Sequence, residues 1–160
     1  MNQPTPPLNY LFAYGTLMTG HRRQHVWPHP PDSIEEAWIA GYLVDLGPYP
    51  ALLLELPHEF QTDTQLQPHR IRGQLWAFPA NTWLPTLARL DAVEGFAHQP
   101  DDLYRRTTTL AHPLHNNLNS NQAVPCQTYT YFAPLPPHAP LIRPDPDGWV
   151  RWSKSAHQEG

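Results

Sequence analysis

The sequence predicts a single α+β or barrel-like domain of short strands and one principal helix over residues 1–160. Three observations predict it. Short aromatic-rich or alternating apolar segments recur along the chain, and one segment has helical spacing. Prolines number 21 of 160 residues, against a usual share of about 5%. Because proline breaks helices and central strands, a helical bundle and a sheet of long strands are both excluded.

Composition and charge restrict the classes of partner. The formal net charge of −4 at pH 7 gives no electrostatic case for nucleic acid as the main partner. The single cysteine, Cys126, allows no internal disulfide and fits a reducing compartment. Apolar runs fall short of the ~18–20 residues that span a bilayer, and residues 1–7 lack the regions of a signal peptide. We therefore expect a cytoplasmic protein without a membrane partner, and nothing in the sequence specifies an oligomeric state.

The strands follow from β-branched and aromatic composition between turn residues. The first is an aromatic run that ends at Gly15, and Thr16 could cap a short helical stretch to residue 25. The second and third flank a turn rich in glycine and proline and form a hairpin-like pair. Gly73 lies inside the fourth and predicts a bulge or a close backbone approach. We predict strands over residues 8–14, 36–46, 51–56, 70–78, 104–111 and 126–132, with loops at 57–69 and 112–124.

The principal helix is predicted from about Thr82 to Glu94. With Thr82 as N-cap, Pro85 is the third helical residue, where its missing N–H has no intrahelical partner to lose. Gly95 is the residue expected just past a helix end. One face of this helix is formed by residues spaced four, three and four apart: Trp83, Leu87, Leu90 and Glu94.

Glu94 is the first candidate functional residue. Glutamates near helix ends are usually solvated, but Glu94 continues the apolar face and should point towards the interior. The negative end of the helix dipole also disfavours an anion there. Burial and the dipole would both raise its pKa, as a carboxylate general base requires. Asp91, three residues earlier, could be a solvated neighbour or a packing partner.

The second candidate is the tetrapeptide Tyr14-Gly15-Thr16-Leu17 after the first strand. It could be an ordinary strand end, or its consecutive backbone N–H groups could form an anion-binding concavity. The sequence contains neither a nucleophile elbow nor a phosphate-binding loop. Cys126 lies in a strand pattern without an adjacent base, which favours a buried apolar role over a nucleophilic one.

Four short motifs occur in order along the chain: Tyr14-Gly15-Thr16-Leu17, GYLVDLGPYPA at 41–51, LDAVEGF at 90–96 and Tyr104-Arg105-Arg106. Together they resemble the gamma-glutamylcyclotransferase-like (AIG2-like) superfamily, over about residues 8–132. The asparagine-rich segment 112–124 and the proline-rich segment 133–160 depart from the compact family pattern and leave the pocket rim and substrate choice undefined.

The resemblance implies a small mixed β-barrel with one principal helix and a few short helices. It implies a cyclotransferase that converts a small γ-glutamyl amide or amino acid to 5-oxoproline and a free amine, with no cofactor and no metal. Glu94 would be the general acid/base, the loop Tyr14, Gly15, Thr16 and Leu17 would bind the glutamyl group, and Tyr104 would line the pocket. Two alternatives stay open: a non-catalytic domain that binds a small ligand, and a related acyl transfer with the γ-glutamyl group on a larger carrier.

Overall fold

A computed structural model describes residues 9–15, 29–47, 49–55, 67–114 and 123–152. Within these ranges the chain forms seven strands and one helix. The helix is not long and apolar enough to cross a membrane. In chain order the elements are β1 (Asn9–Ala13), β2 (Ser33–Asp45), β3 (Pro50–Leu53), β4 (His69–Phe78), α1 (Ala80–Glu94), β5 (Tyr104–Pro113), β6 (Val124–Tyr131) and β7 (Trp149–Val150).

Five of the strands close into a barrel. Strand β2 pairs with β5, β5 with β6, β6 with β1, β1 with β4, and β4 returns to β2. The β1–β6 pair is parallel and the other four pairs are antiparallel. Outside this ring, β3 forms an antiparallel hairpin with β2, and β7 runs parallel to β4. The small mixed β-barrel expected from the family resemblance is confirmed.

Strand β1 is buried on both faces, and so it forms a wall shared by two apolar clusters. Phe12 and Tyr14 belong to the cluster inside the barrel, whereas Leu11 and Ala13 belong to a cluster shared with α1. This alternation is the period of two that a strand imposes. A Cβ atom at Gly73 would lie 2.4 Å from the carbonyl oxygen of Ala13. The predicted close backbone approach at Gly73 is therefore confirmed.

The start of α1 differs from the prediction. The helix begins at Ala80 with Pro79 as its N-cap, and Thr82 lies within the first turn, where its N–H donates to the Pro79 carbonyl at 3.2 Å. The prediction of Thr82 as N-cap is thus wrong. Pro85 is consequently the sixth helical residue, and its missing N–H deprives the carbonyl of Asn81 of its intrahelical donor.

All six predicted strands are present with shifted ends, while β7 was not predicted. The loop predicted at 112–124 begins later, because His112 and Pro113 extend β5 to pair with β2 and close the barrel. Residues 115–122 of that loop lie outside the described residues, as does the helical stretch predicted over 16–25.

The proline-rich C-terminal segment packs against the barrel over its described residues. Ile142 donates its N–H to the carbonyl of Leu43 at 2.8 Å, beside β2. Farther along, Val150 and Trp152 are buried in the cluster inside the barrel. This part of the chain therefore contributes side chains to the main core.

Candidate active site

A cavity of about 260 Å³ lies where β1 ends and α1 ends. Its volume is slightly below the ~300–1,000 Å³ range of small-molecule sites. Backbone and side chains from five parts of the fold line it. The lining residues are Phe12, Ala13, Tyr14, Gly15, Tyr49, Pro50, Ala92, Val93, Glu94, Gly95, Leu103, Tyr104 and Tyr129.

The cavity brings together four of the residues singled out in the sequence: Tyr14, Gly15, Glu94 and Tyr104. Tyr14 and Tyr104 are buried, while Glu94 is half-buried. The other two predicted site residues, Thr16 and Leu17, lie outside the described residues.

Glu94 reaches the cavity because the apolar face of α1 packs on the barrel. Leu87 and Leu90 are buried in the cluster shared with β1, and Glu94 lies one turn beyond Leu90. Gly95 then adopts a left-handed conformation with φ of 72°, which a side chain would disfavour. The N–H of Phe96 donates to the carbonyl of Asp91 at 2.8 Å and ends the helix. The predicted helix end at Glu94 and Gly95 is confirmed.

The chain after Gly95 is also held in place. Asp102 is buried, and its carboxylate accepts hydrogen bonds from the backbone N–H groups of Ala97 and Gln99 at 2.9 and 3.1 Å. These bonds connect the end of α1 to the start of β5. Leu103 and Tyr104 follow directly and line the cavity on that side.

Three buried tyrosines donate their hydroxyl protons to protein acceptors. The hydroxyl of Tyr14 donates to the carbonyl oxygen of Tyr129. The hydroxyl of Tyr104 donates to the carbonyl oxygen of Pro50 at 2.7 Å, and that of Tyr129 donates to Oδ1 of Asp91 at 2.6 Å. Satisfied polar groups of this kind fix the cavity walls, since a buried hydroxyl without a partner would be destabilising.

The electrostatics of the cavity keep these phenols protonated. Burial, together with the nearby Tyr104 and Glu94, raises the pKa of Tyr14 well above its ordinary value. Burial, Asp91 and Glu94 likewise raise the pKa of Tyr129. Among the described side chains that line the cavity, Glu94 is the only carboxylate.

Sequence reasoning missed several residues that build the site. Tyr49 lies edge-on to Tyr104 with ring centroids 6.2 Å apart, and Pro50 lies close to Gly15. Tyr49 lies in the turn before β3 and Pro50 begins that strand, both inside the motif 41–51 whose role the resemblance left unassigned. Tyr129 lies in the sixth predicted strand, where its aromatic side chain fits a strand but no local pattern marks it as part of a site.

The described residues offer neither a metal site nor a reactive thiol. Those residues contain no group of three histidine, cysteine, aspartate or glutamate side chains close enough to hold a metal ion. Cys126 is buried inside the barrel, and burial raises the pKa of its thiol to about 12. The prediction of a buried apolar role for Cys126 is confirmed.

A comparison with protein-family models finds the family described as gamma-glutamyl cyclotransferase, AIG2-like, over residues 11–151. The chain belongs to this family. The matched range covers every element that lines the cavity. A comparison with curated proteins finds no significant match to this AIG2-like chain.

Solved structures share the AIG2-like fold at low sequence identity. An AIG2-like protein from Mus musculus is 21% identical with a TM-score of 0.54, covering 91% of this chain and 95% of that one. A yeast γ-glutamyl cyclotransferase specific to glutathione is 12% identical with a TM-score of 0.54, and the match covers 78% of this chain and 69% of the yeast chain. YkqA from Bacillus subtilis is 16% identical with a TM-score of 0.52. The match covers 78% of this chain but only 36% of the longer YkqA chain.

Proposed function

We propose that this AIG2-like protein is a γ-glutamyl cyclotransferase that converts a γ-glutamyl amide or amino acid to 5-oxoproline and a free amine. The main support for this proposal is the arrangement of the cavity. The half-buried Glu94 and the residues Tyr14 and Gly15, which directly follow β1, line one cavity of about 260 Å³. Family membership supports this reaction class.

The chemistry needs little from the protein because the substrate carries its own nucleophile. The α-amino nitrogen attacks the γ-carbonyl carbon, and the bond between that carbon and the departing nitrogen breaks. The product ring has five members, and no water is consumed. Such an intramolecular reaction depends on holding a reactive conformer, which a cavity with fixed walls can do. The hydrogen-bonded tyrosines Tyr14, Tyr104 and Tyr129 supply those walls.

In this proposal Glu94 transfers protons. Its carboxylate accepts a proton from the α-ammonium group, which frees the nitrogen for attack, and it later donates a proton to the departing nitrogen. The two protons lost by the α-nitrogen end on the amine, which leaves as an ammonium ion at neutral pH. Tyr14 and Tyr129 are poor substitutes for this role because their raised pKa values keep them protonated. The hydroxyl protons of both are also directed at protein acceptors.

The loop after β1 would bind the charged end of the substrate. Gly15 lines the cavity, and consecutive backbone N–H groups in such a loop attract an anion. We propose that the amides of Gly15, Thr16 and Leu17 bind the α-carboxylate or stabilise the developing oxyanion. A Cβ atom at residue 15 would lie 3.3 Å from the ring of Pro50, so a side chain there would require a small shift of that ring.

The test is a panel of γ-glutamyl compounds assayed for 5-oxoproline by mass spectrometry. The panel contains γ-glutamyl amino acids, γ-glutamyl amines, glutathione and a γ-glutamyl group on a larger carrier. We expect 5-oxoproline release from at least one small member. Thermal stabilisation by these compounds without product would instead favour the non-catalytic ligand-binding domain. Release from the carrier alone would favour the larger-substrate alternative, and no binding and no product would contradict the proposal.

A further inference from the structure

Asp91, one helical turn before Glu94, is held by three hydrogen bonds. The guanidinium of Arg106 donates from Nε to Oδ1 at 2.9 Å and from Nη2 to Oδ2 at 3.1 Å. The hydroxyl of Tyr129 donates to Oδ1 at 2.6 Å. The side chains of Asp91 and Arg106 are only 15% and 21% exposed. A bidentate pair of this kind fixes orientation as well as adding energy.

The partners of Asp91 belong to two neighbouring strands. Arg106 on β5 and Tyr129 on β6 are directly opposite each other in the antiparallel register. The carboxylate of Asp91 therefore ties the last turn of α1 to both strands at once. Tyr129 also lines the cavity, and its carbonyl oxygen accepts the hydroxyl proton of Tyr14. A continuous set of contacts thus runs from Arg106 through Asp91 and Tyr129 to the end of β1.

The charge of Arg106 explains how two carboxylates share the end of one helix. An anion there is opposed by the helix dipole, and Asp91 and Glu94 are only three residues apart. The hydrogen bond to Asp91 raises the pKa of Arg106, which therefore remains charged and offsets the charge of Asp91. Asp91 does not line the cavity, whereas Glu94 does.

We propose that Asp91 is a positioning residue, which with Arg106 and Tyr129 holds the last turn of α1 so that Glu94 faces the substrate. This inference rests on the proposed cyclotransferase function. Asp91 touches no reacting atom, since its oxygens are occupied by the strands. It acts on Glu94 through the helix backbone and through its charge. The titratable side chains that line the cavity together with Glu94 are Tyr14, Tyr49, Tyr104 and Tyr129.

The first test compares Asp91→Asn with the wild-type protein in 5-oxoproline release. Asparagine keeps the shape but removes the charge and part of the bidentate pair. We expect kcat to fall about 10- to 100-fold, because a small displacement of a catalytic group has a large effect on rate. KM should change by less than about twofold, since the substrate contacts are kept. Wild-type kcat in a folded Asp91→Asn protein would overturn the proposal.

The second test uses the pH profile of kcat, which a merely structural role would not shift in a defined direction. Asp91→Asn leaves Arg106 uncompensated, so the acid limb should move to lower pH by about one unit. Arg106→Gln leaves Asp91 uncompensated, so the limb should move to higher pH. Arg105→Gln, next along β5 and stacked on Phe132, serves as the matched control and should leave the limb in place. Shifts in the same direction, or no shifts, would overturn the proposal.

The outcomes also separate the two proposals. Arg106→Lys keeps the charge without the bidentate geometry and should lose kcat while the acid limb stays near its wild-type position. If wild-type protein and Arg106→Lys have equal kcat, the positioning role is overturned while the cyclotransferase function stands. A wild-type protein that releases no 5-oxoproline overturns both.

Discussion

The interior of the barrel and the cavity at its end share strands but differ in chemistry. The interior is filled by fully buried apolar side chains such as Ile39 and Ile71. The cavity, by contrast, is lined by four tyrosines and the carboxylate of Glu94. The closed barrel thus provides a rigid frame, whereas the candidate reactive groups lie where strand β1 and helix α1 end. A site held by rigid elements can place its groups accurately.

The two regions should therefore respond differently to substitution. Changes inside the barrel should lower the free energy of unfolding and leave turnover intact in the folded fraction. Changes around the end of α1 should lower turnover more than stability. Matched pairs of substitutions, one in each region, test this expectation.

The largest effect on stability is expected for Ile39→Ala inside the barrel. Removing a fully buried isoleucine side chain should lower the free energy of unfolding by about 2–5 kcal/mol. Ile34→Ala, in the same strand at a position that is 42% exposed, is the matched control and should have a much smaller effect. Urea denaturation measures both. Loss of 5-oxoproline release in still-folded Ile39→Ala would break the proposed separation.

Gly95→Ala is expected to lower the free energy of unfolding less than Ile39→Ala does, but to lower turnover more. The left-handed φ of 72° makes an alanine unfavourable by about 1–2 kcal/mol, although its Cβ would have open space. A shift of the last turn of α1 that relieves this strain would displace Glu94 and lower kcat. Gly148→Ala also places an alanine at a positive φ, of 90°, outside the cavity lining, and its Cβ would lie 3.0 Å from Nη2 of the flexible Arg70 side chain. It should lose stability but keep its kcat, and equal kcat values in the two variants would contradict this prediction.

The smallest effect concerns the pH dependence of stability. The pKa of Cys126 is raised to about 12 from 9.0, so the folded state holds the proton after the unfolded state has lost it. The contribution of the protonated thiol to the free energy of unfolding is therefore complete below about pH 9. It declines as pH rises towards 12, by about 1 kcal/mol between pH 9 and 10. Cys126→Ala should flatten the decline of the free energy of unfolding over that interval. An unchanged slope would place the thiol in a less buried environment.

The sequence predicted features that depend on local pattern. β-Branched and aromatic composition between turn residues located six strands, and the face of α1 together with Gly95 located the helix end. The same periodicity put Glu94 on the face that packs on the barrel, because helical spacing is a property of neighbouring residues. The roles of Glu94 and the loop after β1 stay predictions.

The remaining features depend on contacts between distant residues. Asp91 meets Arg106 and Tyr129, which are 15 and 38 residues away, and no local pattern marks such a pairing. Strand β7 has two residues, too few for any alternation to be recognised. The start of α1 was misplaced because Thr82 is a common N-cap type, whereas the chain entered the helix directly after Pro79.

The most direct test of the central claim is the steady-state rate of 5-oxoproline release by Glu94→Gln on a substrate that the wild-type protein cyclises. Glutamine keeps the size of the side chain but cannot accept and return a proton. Glu35→Gln, on β2 and outside the cavity lining, is the matched control. We expect Glu94→Gln to lower kcat by about 10²- to 10⁴-fold with its melting temperature retained, and Glu35→Gln to match the wild type. Wild-type turnover by Glu94→Gln would contradict the assignment of Glu94 as the acid/base group.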